Sequence, residues 1–245
     1  MIRIALGGLG VVLIAGVSVA AVSRPTEAAA YLSLAAFTWM LVMDTLRRVC
    51  VSVGGGANSL GVATQLTLLR GLLVSLVGGF ALVAPDGVVR CVPAVLYSAA
   101  ALTDRLDGIV ARRLGQVTSL GVQLDGAMDA IGLVAAPLVA VIWRRLPPWY
   151  LMVGAAYYVY VAGIWWRRRR GLPVYPERVR PKPATRFFAG AQMVLVCIAL
   201  PPVLDPAFLA AAATALMIPT LVLFARDWLI VIGWRPEPGA RAALR

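Results

Sequence analysis

Four aspartates lie within 26 residues of a 245-residue chain that has only eleven acidic residues. Asp104 and Asp107 are spaced i,i+3, and Asp125 and Asp129 are spaced i,i+4. On helices each pair shares one face. Carboxylates gathered in this way repel each other, and divalent cations relieve that repulsion. The chain has no histidine, and Cys50, Cys91 and Cys197 are scattered through apolar surroundings. The donors are therefore hard oxygens alone, which suit Mg²⁺, Mn²⁺ or Ca²⁺. The absence of histidine also excludes a Ser-His triad and a His base, and leaves a carboxylate as the natural general base. The competing reading is an acidic interfacial loop, or Asp–Arg pairs with Arg105, Arg112 and Arg113. Four acids at helix-face spacing on two successive helices weigh against it.

The elements that must position these residues are membrane helices. Hydrophobic residues make up 61% of the chain and charged residues 14%, with a mean hydropathy of +0.85. A soluble domain averages about 25% charged, so a soluble enzyme and a disordered chain are both excluded. Eight apolar runs lie near 4–22, 29–46, 66–84, 88–103, 127–142, 149–166, 187–204 and 207–225. Several fall short of the roughly 20 residues a spanning helix needs. The runs ending at 103 and starting at 127 are expected to continue as helices into the polar stretch between them. Gly115 offers a turn there, which predicts an antiparallel helical hairpin carrying all four aspartates. Gly121 lies one turn before Asp125 on the same face, where a missing side chain permits close approach. An Asp deep in a membrane helix costs about 2.5–3.5 kcal/mol on insertion scales, so four together call for a counter-charge.

The net charge of +12 comes almost wholly from arginine, Lys182 being the single lysine. With the N-terminus in the cytoplasm and eight crossings, 19 of the 23 basic residues fall on the cytoplasmic side. Only Arg24, Arg90, Arg144 and Arg145 fall outside, which fixes the orientation and puts both termini inside. The first run, about 19 residues, is longer than a signal-peptide core and reads as a retained helix. The tryptophans mostly lie at run ends, as interfacial belts do. Asp44 is placed to pair with Arg47 or Arg48. No soluble basic domain exists to hold nucleic acid.

Residues 104–129 carry Asp-x2-Asp-Gly-x2-Ala-Arg-x8-Gly-x3-Asp-x3-Asp. This segment resembles the signature of the CDP-alcohol phosphotransferase family at every fixed position. Eight specified residues make chance agreement on the order of 10⁻⁹ per window. A weaker likeness precedes it. The family's Asn-x2-Thr-x2-Arg corresponds to Thr64-x2-Thr67-x2-Arg70, with Thr64 in place of Asn. By itself that segment reads as an ordinary helix start with a snorkelling Arg.

The resemblance implies an all-α integral membrane protein. Its six-helix catalytic core, 51–235, follows two extra helices in 1–50 and precedes a short basic tail, 236–245. It implies transfer of a phosphatidyl group from a CDP-linked lipid to an alcohol, with release of CMP. Asp104, Asp107, Asp125 and Asp129 would hold Mg²⁺ or Mn²⁺, two ions by family likeness, with Asp129 as the base. Gly108 and Ala111 would let the nucleotide lie against the helix. Arg112, Thr67 and, less closely matched, Thr64 would contact its phosphates. Relatives that use phosphorylated acceptors bind them near the 167–186 loop, which makes Arg178, Lys182 and Arg186 the acceptor candidates. Contact with anionic headgroups explains that loop equally well. The family also implies a homodimer. The alternatives are a divalent-cation channel or transporter, which would need polar residues continuing across the membrane, and an inactive scaffold relative.

Overall fold

A computed structural model describes residues 2–53, 62–113, 119–179 and 183–234. Among these residues there is no strand, and eight α-helices follow one another. They are α1 (Ile2–Ala20), α2 (Pro25–Val53), α3 (Val62–Gly79), α4 (Val92–Arg113), α5 (Ser119–Ile142), α6 (Met152–Arg169), α7 (Pro183–Ala199) and α8 (Pro206–Val231). The protein is all-α, as its apolar runs predict.

Local chemistry sets the helix ends. Pro25, Pro183 and Pro206 stand first in their helices, where a missing N–H costs nothing. Asp205 caps α8 by accepting from the backbone N–H groups of Ala207 (2.9 Å) and Phe208 (3.2 Å). α6 stops at Gly171, whose φ of 68° closes a Schellman turn. Its N–H donates to Arg168 O (3.1 Å), and Leu172 N–H donates to Arg167 O (3.0 Å).

Five helices, α1, α2, α3, α5 and α8, are long and apolar enough by themselves to cross a membrane. The other three differ for visible reasons. α4 carries Asp104, Arg105, Asp107, Arg112 and Arg113 in its second half, α6 ends in Arg167–Arg169, and α7 has only 17 residues. The α8 window has a hydropathy of 2.2 with only 17% of its residues buried. A helix that apolar and that uncovered needs lipid as its solvent. The same holds for the outward faces of α1 and α4, where Ile14, Val17, Val95 and Leu102 are exposed.

α3 is the axis of the bundle. It packs against α2, α4 and α5, whereas α4 and α5 meet each other only slightly. The expected α4–α5 hairpin is therefore a three-helix arrangement, with α3 joining the two Asp-bearing helices. Its connection at 114–118, Gly115 included, lies outside the described residues. Gly71 makes the close approach possible: a Cβ there would sit 2.9 Å from Met128 Sδ on α5 and 2.9 Å from Val42 Cγ1 on α2. α1 packs mainly on α2, with the Trp39 indole N–H donating to Ala5 O (3.0 Å). At one end of the bundle the turns interlock. Trp143 donates to Val83 O (3.0 Å), and the Arg145 guanidinium donates to Ala199 O (3.1 Å), Pro201 O (3.2 Å) and Leu204 O (2.6 Å). The aspartates lie toward the opposite end, where Ser52 on α2 meets Gln123 on α5.

Candidate active site

Asp104 and Asp107 project from α4 and Asp125 from α5, and one carboxylate oxygen from each lies within 4.8 Å of the others. Two oxygens on one small hard cation are at most about 4 Å apart, twice a Mg–O distance. The three carboxylates are close to that span before any cation draws them in. Asp107 is buried and Asp104 and Asp125 are half-buried, so the group sits at the rim of the bundle with one deep member.

Arg70, on α3, stands in the middle of this group. Its side chain is only 4% exposed. Nη1 pairs with Asp104 Oδ1 and lies 3.3 Å from Asp129 Oδ1. Nη2 donates to Asp125 Oδ1 (2.7 Å) and to the Asp125 carbonyl (2.9 Å). Arg70 does not snorkel, as the segment taken alone would suggest: three carboxylates hold its guanidinium inside the bundle. One guanidinium cannot neutralise four carboxylates. Buried Asp129 Oδ1 makes no hydrogen bond, and neither does buried Arg70 Nε. The donor set and its shortage of positive charge fit divalent cations of the Mg²⁺ or Mn²⁺ kind.

The expected fourth ligand differs from the other three. Asp129 lies one helical turn beyond Asp125 and is outside the converging triad. Its Oδ1 faces Arg70 Nη1. Thr67, one turn before Arg70, is 3% exposed and its hydroxyl donates to Asp107 Oδ2 at 3.1 Å. Thr67 thus orients a carboxylate, a contact that spacing alone did not reveal. Thr64 is buried one turn earlier on α3. Gly108 is half-buried beside Asp107 on α4. Ala111 and Arg112 belong to the last turn of α4, and their side chains lie outside the described residues.

Two of the three acceptor candidates, Arg178 and Arg186, lie among the described residues. Arg178 stacks its guanidinium over the Tyr175 ring at 3.8 Å, and Tyr175 N–H donates to Val231 O at 2.9 Å. Arg186 is exposed near the start of α7, and Lys182 lies outside the described residues. Asp44 is held by Arg48 (2.6 Å) and Arg47 (3.2 Å) on an exposed face.

A family model for CDP-alcohol phosphatidyltransferase matches residues 60–225, about two thirds of the chain. The protein belongs to the CDP-alcohol phosphatidyltransferase family. No curated protein matches it in sequence. The matched region runs from just before α3 into α8, so it contains every residue of the carboxylate cluster and Arg70, and leaves α1 and α2 outside. Membership makes the protein a membrane transferase of phosphate-containing groups, in a family that serves phospholipid synthesis.

Arg70 is the residue that sequence reasoning left out of the site. Its signal was the spacing from Thr67, which matched the family's weaker segment, but an Arg at the mouth of an apolar run looks the same whether it points outward or inward.

Proposed function

We propose that the protein transfers a phosphatidyl group from a CDP-linked lipid to an alcohol acceptor and releases CMP. The observation that carries this reading is the convergence of three carboxylates from two helices around Arg70, within a chain of this family. Asp104, Asp107 and Asp125 would hold divalent cation, Mg²⁺ or Mn²⁺ and two ions by family likeness. Bound there, it supplies charge neutralisation of the diphosphate and polarisation of the attacked phosphorus. The rest is done by the chain itself. Asp107 is deep and fixed by Thr67, so its carboxylate is pre-aimed. Asp129, one turn beyond Asp125 and with its Oδ1 3.3 Å from Arg70 Nη1, is proposed as the base that receives the acceptor's proton, and by family likeness it would also complete the cation site. Gly108, Ala111, Arg112, Thr64 and Thr67 are the proposed contacts for the nucleotide. Arg178, Lys182 and Arg186 are proposed contacts for an anionic group at this face, either an acceptor's phosphate or, where the acceptor is uncharged, the lipid headgroups.

The positive-inside count supports an active site and termini on the cytoplasmic side, with α1 and α2 added before a six-helix core. Homodimerisation is proposed from the family alone. A cation pathway is disfavoured because, among the described residues, Asp107 is the only buried acid and the rest of the core is mainly apolar. The test is CMP release by the purified protein from CDP-diacylglycerol with Mg²⁺ or Mn²⁺ over a panel of alcohols. Acceptor-dependent release abolished by EDTA is expected. Cation binding without release for any acceptor would favour the scaffold reading.

A further inference from the structure

Behind Asp129 the bundle contains a cavity of about 110 Å³, lined at one end by Arg70 and Asp129. Its walls are mainly apolar, among them Val74 on α3, Leu133 on α5 and Val153 on α6. Gln192 on α7 and Thr220 on α8 also line it. Arg70 is the one cation among the lining residues, and it is already engaged by three carboxylates. Resting on the transferase reading above, we infer that this cavity receives the acceptor, and that the acceptor is a compact, uncharged alcohol rather than a phosphorylated one.

The hydrogen-bonding inventory supports this assignment. Both Gln192 amide hydrogens are used, toward Leu216 O (3.2 Å) and Thr220 Oγ1 (3.0 Å). Its Oε1 accepts from the Tyr150 hydroxyl and keeps a second lone pair. Gln192 is 2% exposed and Tyr150 fully buried, so this polar node is fixed inside the bundle. The cavity therefore offers acceptor positions at Gln192 Oε1 and Asp129 Oδ1, and one unpartnered donor, Arg70 Nε. A neutral alcohol satisfies all of these. Its O–H groups donate to the two oxygens, and a hydroxyl oxygen accepts from Arg70. A phosphate monoester brings acceptors and negative charge, and the lining offers it only Arg70, which already faces three carboxylates. A cavity of about 110 Å³ is small, which suits a compact acceptor. In the reaction the acceptor oxygen bonds to the phosphorus of the phosphatidyl group. The phosphorus–oxygen bond to CMP breaks, its electron pair leaves with CMP, and the hydroxyl proton passes to Asp129.

Gly132 gives a clean probe of the cavity's size. A Cβ there meets only Val74 Cγ2, at 3.6 Å, so Gly132→Ala adds a methyl without a clash. The test measures CMP release with glycerol, propane-1,2-diol and ethylene glycol against glycerol 3-phosphate and inositol phosphate. The wild-type protein is expected to use the neutral set. Gly132→Ala should shift preference toward ethylene glycol over glycerol by about tenfold. Gln192→Leu should raise the acceptor KM about tenfold and leave the CDP-diacylglycerol KM unchanged. If Gln192 served packing alone, both KM values or the thermal midpoint would move together. Release with phosphorylated acceptors only would overturn this inference and leave the transferase reading standing. Release with no acceptor would overturn both.

Discussion

Thr67 and Arg70 decide how the aspartates behave, and neither is an acid. Thr67 holds Asp107 through one hydrogen bond in a buried place. Thr67→Val keeps the shape and removes that bond. It is expected to weaken Mn²⁺ affinity about tenfold, the size of effect typical of a group that orients a metal ligand. Electron paramagnetic resonance titration of free Mn²⁺ would measure it. Arg70 is the internal counter-charge of the cluster. Arg70→Gln should lower the thermal midpoint of EDTA-treated protein, and saturating Mn²⁺ should recover a larger part of that loss than wild type gains from Mn²⁺. An equal response of the two proteins to Mn²⁺ would show that Arg70 does not offset the carboxylates. The four aspartates were legible because acids in an apolar chain are conspicuous and helical spacing puts each pair on one face. Arg70 was not, since burial depends on what α4 and α5 bring to it from 34 and 55 residues away. Gln192 was invisible for the same reason, its partners Tyr150 and Thr220 lying on other segments.

At the scale of elements, α3 explains why two separate helix faces become one site. Composition showed α3 only as an apolar run, and periodicity could not say that it lies between α4 and α5. The continuation of α4 and α5 past their apolar runs was readable, because the pairs at i,i+3 and i,i+4 demand helix through 104–107 and 125–129. The contact at Gly71 is where α3 comes closest to its neighbours. Gly71→Leu would drive a side chain into Met128 and Val42 and push α3 away from α5. Overpacking of this kind costs about 1–3 kcal/mol. The expected result is a lowered thermal midpoint together with a loss of activity exceeding the loss of folded protein, since Arg70 moves with the helix. Gly132→Ala on α5, where there is room, should leave the midpoint unchanged.

The whole molecule is a bundle whose two ends differ in kind. One end is closed by backbone carbonyls around Arg145 and by the Trp143–Val83 bond. The other carries the carboxylates and, at the ends of α6 and α8, Arg167–Arg170 and the Tyr175–Val231 contact. Arg169 and Arg170 stack on Trp165 and Trp166 at 4.2 and 4.4 Å, an arrangement suited to an interface. In the proposed orientation this second end faces the cytoplasm. Exposed Cys91, at the opposite end, should therefore react with a membrane-impermeant maleimide in intact cells. Glu177→Cys in a Cys91→Ser background should react only after permeabilisation. The reverse pattern would invert the topology.

In the proposed reaction this carboxylate cluster performs phosphatidyl transfer with Asp129 as its base. The most direct measurement is the initial rate of CMP release by wild type and by Asp129→Asn, at saturating CDP-diacylglycerol, acceptor and Mn²⁺, with donor binding measured beside it. The rate is expected to fall about 10²–10⁴-fold, the usual contribution of a positioned base, with donor affinity retained. Equal rates in the two proteins would contradict it.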